Sequence, residues 1–219
     1  MNHILQHPNV GSFRGNPAAI LAELDRWGKE HKALMTIGPE RGRVVTDLIA
    51  EARPERMVEL GCYVGYSAIL FGDAVRAAGG REYLSFEYNA EYAAIAEQLV
   101  ELAGLQGFVK IVVGPSSASL RALAAAENVP KIDILFIDHF AQFYLTDLKI
   151  AESGGLLQQG SYLIADNTGF AGAKDYVDWV AGSANASKYT TVQMSEFQLA
   201  SGETVSSQDP LRVFWACFL

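Results

Sequence analysis

With 219 residues, half of them apolar and 19% charged, the chain has the make-up of a folded protein with a sizeable core, and it reads as one domain over residues 1–219. A formal net charge of −8 excludes a general nucleic-acid binder, which needs a basic face to displace counterions from phosphate. The apolar runs are too short to span a bilayer and no basic stretch leads into a long apolar one, so a cytoplasmic protein without a membrane partner is expected.

The first firm element is a helix from about Pro17 to Glu30: Asn16 can cap it, Pro17 suits the first helical position, and Ile20, Leu21, Leu24 and Trp27 recur at helical spacing. A second, from about Glu40 to Ala52, carries Val44, Val45, Leu48 and Ile49 on one side and stops near Pro54. These N-terminal helices, within residues 1–55, are expected to cover an active site built on a core of residues 56–219. From Met57 onward, short apolar runs alternate with helical stretches. The runs are Met57–Leu60, Tyr83–Glu87, Val109–Val113, Ile132–Ile137 and Tyr162–Ala165, and the helices fall near 66–78, 91–103, 118–126, 142–151 and 174–180. Runs without polar alternation, separated by helices, describe a doubly wound α/β fold whose parallel strands are buried on both faces. Thr190–Leu199 and Arg212–Phe218 then complete a seven-stranded sheet as an antiparallel hairpin. Ligands in such sheets bind beyond the carboxyl ends of the strands.

At the first of those ends stands Val58-Glu59-Leu60-Gly61-Cys62-Tyr63-Val64-Gly65-Tyr66-Ser67. Gly61 permits a tight turn and Gly65 a close helix approach. A dinucleotide fold would place glycine where Tyr63 stands, so a cofactor without a pyrophosphate is favoured. Glu87, ending the second strand, can accept hydrogen bonds from both ribose hydroxyls. Glycine turns also serve packing and an acid at a strand end also caps helices, so spacing alone leaves both readings open. Cys62 reads as a small packing residue; it and Cys217 are too far apart to suggest a disulfide framework or a zinc site.

The segment ELGCYVGYS resembles the S-adenosylmethionine loop of the catechol O-methyltransferases, and the likeness extends through NHILQH, FEYN, VVGPS, LFIDH, GGLLQQGSYLIADN and GAKDY, over roughly residues 2–199. The resemblance implies a class I methyltransferase fold. It implies cofactor contacts from Met35, Ile37, Glu59, Gly61, Tyr63, Ser67, Glu87, Tyr88, Gly114, Ser116, Asp138 and His139.

Asp138 ends the run ILFID and Asp166-Asn167 end YLIADN. If those strands are neighbours, three oxygen ligands converge at one rim. That donor set suits Mg²⁺ rather than zinc; the alternative is that they are turn and capping residues. The resemblance favours the metal, since the family places its ion on matching residues. It further implies a vicinal aromatic diol as acceptor, with Glu196 bonding its second hydroxyl. Met35, Phe140, Asn167, Glu196 and Phe197 would line the pocket. Phe140 and Ala33 stand where the family has tryptophans, and Ala171 where it has proline, which predicts a wider pocket. A monomer or weak homodimer is expected.

One departure bears on mechanism. The family's general base is a lysine three residues beyond the metal aspartate, and here that residue is Ala141. Either the metal ionises the acceptor unaided, or another group such as Lys174 substitutes, with His139 as a lesser candidate, or the acceptor differs. A binding protein that lost its base and, more remotely, an NAD-dependent oxidoreductase are the readings from other classes.

Overall fold

The computed structural model describes residues 2–194 and 213–218. Its helices are α1 (Asn2–Leu5), α2 (Val10–Phe13), α3 (Pro17–Glu30), α4 (Gly38–Ala52), α5 (Tyr66–Ala77), α6 (Ala90–Leu102), α7 (Ser116–Ala124), α8 (Tyr144–Ser153) and α9 (Lys174–Ala181). Its strands are β1 (Arg56–Leu60), β2 (Glu82–Glu87), β3 (Val109–Val113), β4 (Ile134–Ile137), β5 (Tyr162–Asp166), β6 (Tyr189–Met194) and β7 (Val213–Phe218). They form one seven-stranded sheet in the order β3-β2-β1-β4-β5-β7-β6. The first five are parallel, while β7 runs antiparallel to both β5 and β6.

Period-two alternation along the strands feeds two cores. Met57, Tyr83, Val109, Ile134, Phe136 and Ile164 face a layer that includes Ile20 and Leu24 of α3, Ile49 of α4, Phe71 of α5 and Leu99 of α6. Their neighbours Val58, Leu84, Leu135, Ile137 and Leu163 face the opposite layer, with Leu120, Leu148 and Val180 of α7, α8 and α9. Because both faces of β1, β2, β4 and β5 are covered, those strands read as largely apolar runs, whereas the edge strand β3 leaves Val112 and Val113 exposed. The sequence reverses direction between β1 and β4, the switch point at which crevices open outside the carboxyl ends.

Most boundaries follow the expected ones, α3 to the residue, with Asn16 accepting the Ala19 N–H at 3.1 Å. Three differ. β4 begins at Ile134, since the backbone of Ile132 bonds instead to the Leu156 carbonyl at 2.8 Å. The helix expected from residue 142 opens as a 3₁₀ turn, Ala141–Phe143, before α8. The four-residue helices α1 and α2 were not foreseen, being too short to show a period; Ile4 and Phe13 bury against the core and hold them. The hairpin is borne out in its described part, while residues 195–199 and 212 lie outside it.

Candidate active site at the carboxyl rim

The glycine turn after β1 is dictated by its neighbours. Gly61 has φ of 89°, and a side-chain carbon there would lie 2.7 Å from the Asp138 carbonyl oxygen and 2.9 Å from His139 Cβ. No other residue fits while β4 ends beside it. Gly65, φ 91°, would meet Ala96 of α6 at 3.0 Å, so the close approach it grants is to a helix rather than to the strand. Tyr63 takes a positive φ of 50° between them.

Glu87 holds this turn. Its Oε2 accepts the backbone N–H of Cys62 at 3.2 Å and of Tyr63 at 2.9 Å, while Oε1 accepts that of Asn89 at 2.8 Å. Each carboxylate oxygen can accept more than one bond, so capacity remains for a ligand. Glu59 lies deeper, fully buried, with Oε2 accepting the Ser85 hydroxyl at 2.6 Å. Burial pushes its carboxyl up from an ordinary 4.5 to about 7, against the lowering effect of the nearby hydroxyls of Ser67, Ser85 and Tyr83. Ser67 and Ser116 are buried at the starts of α5 and α7, and Gly114, φ 140°, donates its N–H to the Glu87 carbonyl at 2.9 Å. Ile37 is buried just before α4.

The ends of β4 and β5 are adjacent, so Asp138, Asp166 and Asn167 meet. Asn167, in a left-handed conformation at φ 56°, donates Nδ2 to Asp138 Oδ1 at 3.3 Å, and its backbone N–H bonds Asp166 Oδ1 at 2.8 Å. Burial, then the charge of Asp166, raises the Asp138 carboxyl well above its usual range. Burial also raises Asp166, although Arg41 pulls the other way. An ion between two such crowded carboxyls would remove the penalty both bear. All three side chains offer oxygen, and the donor set fits a hard divalent ion.

Several features here have no counterpart in the sequence reading. Arg41 of α4 donates to both oxygens of Asp166, to Oδ2 at 2.5 Å, while its Nε bonds the Ile37 carbonyl at 3.1 Å. The Tyr144 hydroxyl donates to the Asp166 carbonyl at 3.0 Å. His139 stacks on Tyr144 and contacts Asp147 through Nε2 at 2.8 Å, so its ring is held against α8. Phe170 is an exposed ring on the segment after β5. Arg41 and Asp166 lie far apart in sequence, and no local pattern links them.

Large exposed apolar side chains stand out. Met35, Tyr88 and Phe140, each expected at the site, are 72%, 70% and 67% exposed. A ligand that covered them would remove apolar surface from water. Lys174 instead opens α9, its amine bonded to Asp178, which raises its pKa; a general base needs the opposite shift. Ala141 packs against the Ala171–Ala173 turn, where a carbon added to Gly172 would lie 3.4 Å from its methyl. Glu196 and Phe197 lie outside the described residues.

Residues 13–207 match the model of the O-methyltransferase family. Catechol O-methyltransferase of Bos taurus is 35% identical over 184 residues, 84% of this chain, and the chain spans 65% of that relative's length. The Mus musculus protein of the same name is 35% identical, covering 83% of this chain and 68% of its own. Among solved structures, an O-methyltransferase from Bacillus cereus in complex with SAH superposes with a TM-score of 0.73 at 19% identity, over 92% of this chain and 91% of that one.

Proposed function

The chain belongs to the O-methyltransferase family, and we propose that it transfers the methyl group of S-adenosylmethionine to one hydroxyl of a vicinal aromatic diol, with Mg²⁺ held by Asp138, Asp166 and Asn167. The observation that carries this reading is the pair of adjacent carboxyls at the ends of β4 and β5, Asp166 buried and Asp138 half-buried, beside the Glu87-braced glycine turn.

The division of labour follows from the residues. Gly61, Tyr63, Glu87 and Ser116 line one flank, where backbone N–H groups and the Glu87 carboxylate suit a nucleoside, and Met35 and Tyr88 give it apolar cover. Asp138, Asp166 and Asn167 form the other flank. An Mg²⁺ held by these residues would supply Lewis acidity that favours ionisation of the acceptor hydroxyl, whose ordinary pKa is about 10. Phe140, exposed beside Asp138, offers a face for a flat ring. Placement of the acceptor oxygen in line with the sulfonium methyl then provides most of the acceleration.

Ala141 cannot take a proton and Lys174 is engaged with Asp178, which supports the reading in which the ion ionises the acceptor unaided. A cytoplasmic monomer or weak homodimer acting on a small molecule is part of the same reading, in keeping with the net charge of −8; no helix among the described residues is long and apolar enough to cross a membrane.

The test is mass-spectrometric detection of catechol monomethyl ether after incubation with S-adenosylmethionine and Mg²⁺. The expected rate rises with pH and disappears on chelation with EDTA or in Asp138→Asn. Methylation that persists in EDTA would refute the metal's role, and tight cofactor binding with no turnover of any diol would support the non-catalytic alternative.

A further inference from the structure

Three of the chain's four histidines, His3, His7 and His31, gather together. The rings of His3 and His7 are 5.4 Å apart, and that of His31 lies 6.4 Å from His3. The first two converge on Glu23, a buried carboxylate on α3: one potential ligand atom from each of His3, His7 and Glu23 lies within 4.8 Å of the other two. Among the described residues no other group of three histidine, cysteine or acidic side chains meets this condition.

We propose that His3, His7 and Glu23 form a site for a borderline divalent cation such as Zn²⁺, which clips the N-terminal segment onto α3. Two imidazoles and one carboxylate are the donors such ions take, whereas the all-oxygen rim suits Mg²⁺. The two places therefore sort ions by chemistry. His7 Nδ1 accepts the Asn9 backbone N–H at 3.1 Å, a bond that an ion taken on either ring nitrogen must displace. His3 Nε2 lies 2.6 Å from Glu23 Oε1, so an ion entering there replaces the proton that the two now share. The side chain of His3 is 36% exposed, which leaves a route in from solvent.

Arg26 is the competitor. Its Nε donates to Glu23 Oε2 at 2.9 Å and its NH2 to Oε1 at 2.5 Å, while NH1 is anchored on Glu30. The ion needs Oε1 and His3 Nε2, which NH2 now contacts at 2.5 and 3.5 Å, so it enters by displacing that NH2. The Nε bond to Oε2 can persist and orient the ligating carboxylate, as outer partners of metal ligands do. Arg26 alone would satisfy the charge of Glu23; it does not account for two further imidazoles drawn to the same carboxylate.

Zn²⁺ is titrated into the whole protein by calorimetry, with Mg²⁺ in large excess to keep the rim filled. The expected result is one Zn²⁺ per chain, weakened at least tenfold in His3→Asn/His7→Asn, together with a rise in melting temperature confined to the parent protein. Equal binding by parent and variant overturns the site. Should the variant fail to fold, ring-nitrogen NMR on the parent decides: Zn²⁺ must shift the ring nitrogens of His3 and His7 before that of His139. If those nitrogens do not move, any Zn²⁺ bound elsewhere is adventitious and the proposal fails.

Discussion

Replacement of Arg41 by leucine isolates the electrostatics of the rim without touching a proposed metal ligand. The guanidinium, with its side chain 24% exposed, neutralises an Asp166 side chain that is only 1% exposed and stands next to the half-buried acid Asp138. Breaking a fully buried ion pair costs about 3–5 kcal/mol. Here partial exposure of the arginine and proton uptake by the two acids reduce the loss, so about 2 kcal/mol is expected, or roughly 4–8 °C in melting temperature for a chain of this size. Leucine also forfeits the bond to the Ile37 carbonyl, a loss that no ion can repair. In thermal unfolding at pH 8 the variant should therefore melt lower in EDTA, and Mg²⁺ should recover at least half of the difference, raising the variant more than the parent. An equal drop with and without Mg²⁺ would mean that the acids do not share their charge with a cation, and the argument for the site would fail.

Other consequences follow from the same geometry. The folded-state pKa of Glu59 is raised from 4.5 to about 7, so the stability linked to it is complete below pH 4.5 and is lost as pH rises through 7. Glu59→Gln should remove about 3 kcal/mol of the decline in unfolding free energy between pH 5 and 8, as read from urea melts at several pH values; an unchanged slope would show that Glu59 ionises freely in the fold. Gly61→Ala forces a methyl against the Asp138 carbonyl at a left-handed φ and should lower stability by about 1–3 kcal/mol and weaken cofactor binding measured by calorimetry. Ala141→Lys restores an amine beside Asp138 and should raise the turnover of catechol near pH 7 by about 10²-fold, with a flatter pH–rate profile. No gain would mean that the acceptor is already ionised at that pH.

What the sequence revealed is what local chemistry determines. Helical spacing and the Asn16-Pro17 pair located α3, and apolar runs located the parallel strands, which are covered on both faces except at the edge strand β3. Asp138 and Asp166 could be brought together on the condition that their strands are neighbours, and β4 and β5 are. Contacts across the sequence were not legible. Nothing near Arg41 announces Asp166, and nothing near His139 says that its ring turns toward Asp147 and Tyr144 rather than outward. Glu59 illustrates a subtler gap: it stands in the cofactor loop motif, yet its position in β1 buries it entirely, beneath the loop it was expected to help form. Lys174, the candidate substitute base, pairs with Asp178 one helical turn onward, a contact that local spacing does make legible.

The most direct test of the account is a calorimetric titration of catechol, and of its monomethyl ether, into protein loaded with S-adenosylhomocysteine, with Mg²⁺ present and then removed. Chelation between the two carboxyls predicts that catechol binds only when Mg²⁺ is present and that the ether, with one oxygen blocked, binds at least tenfold more weakly. Catechol binding of equal strength in the absence of divalent ions would contradict it.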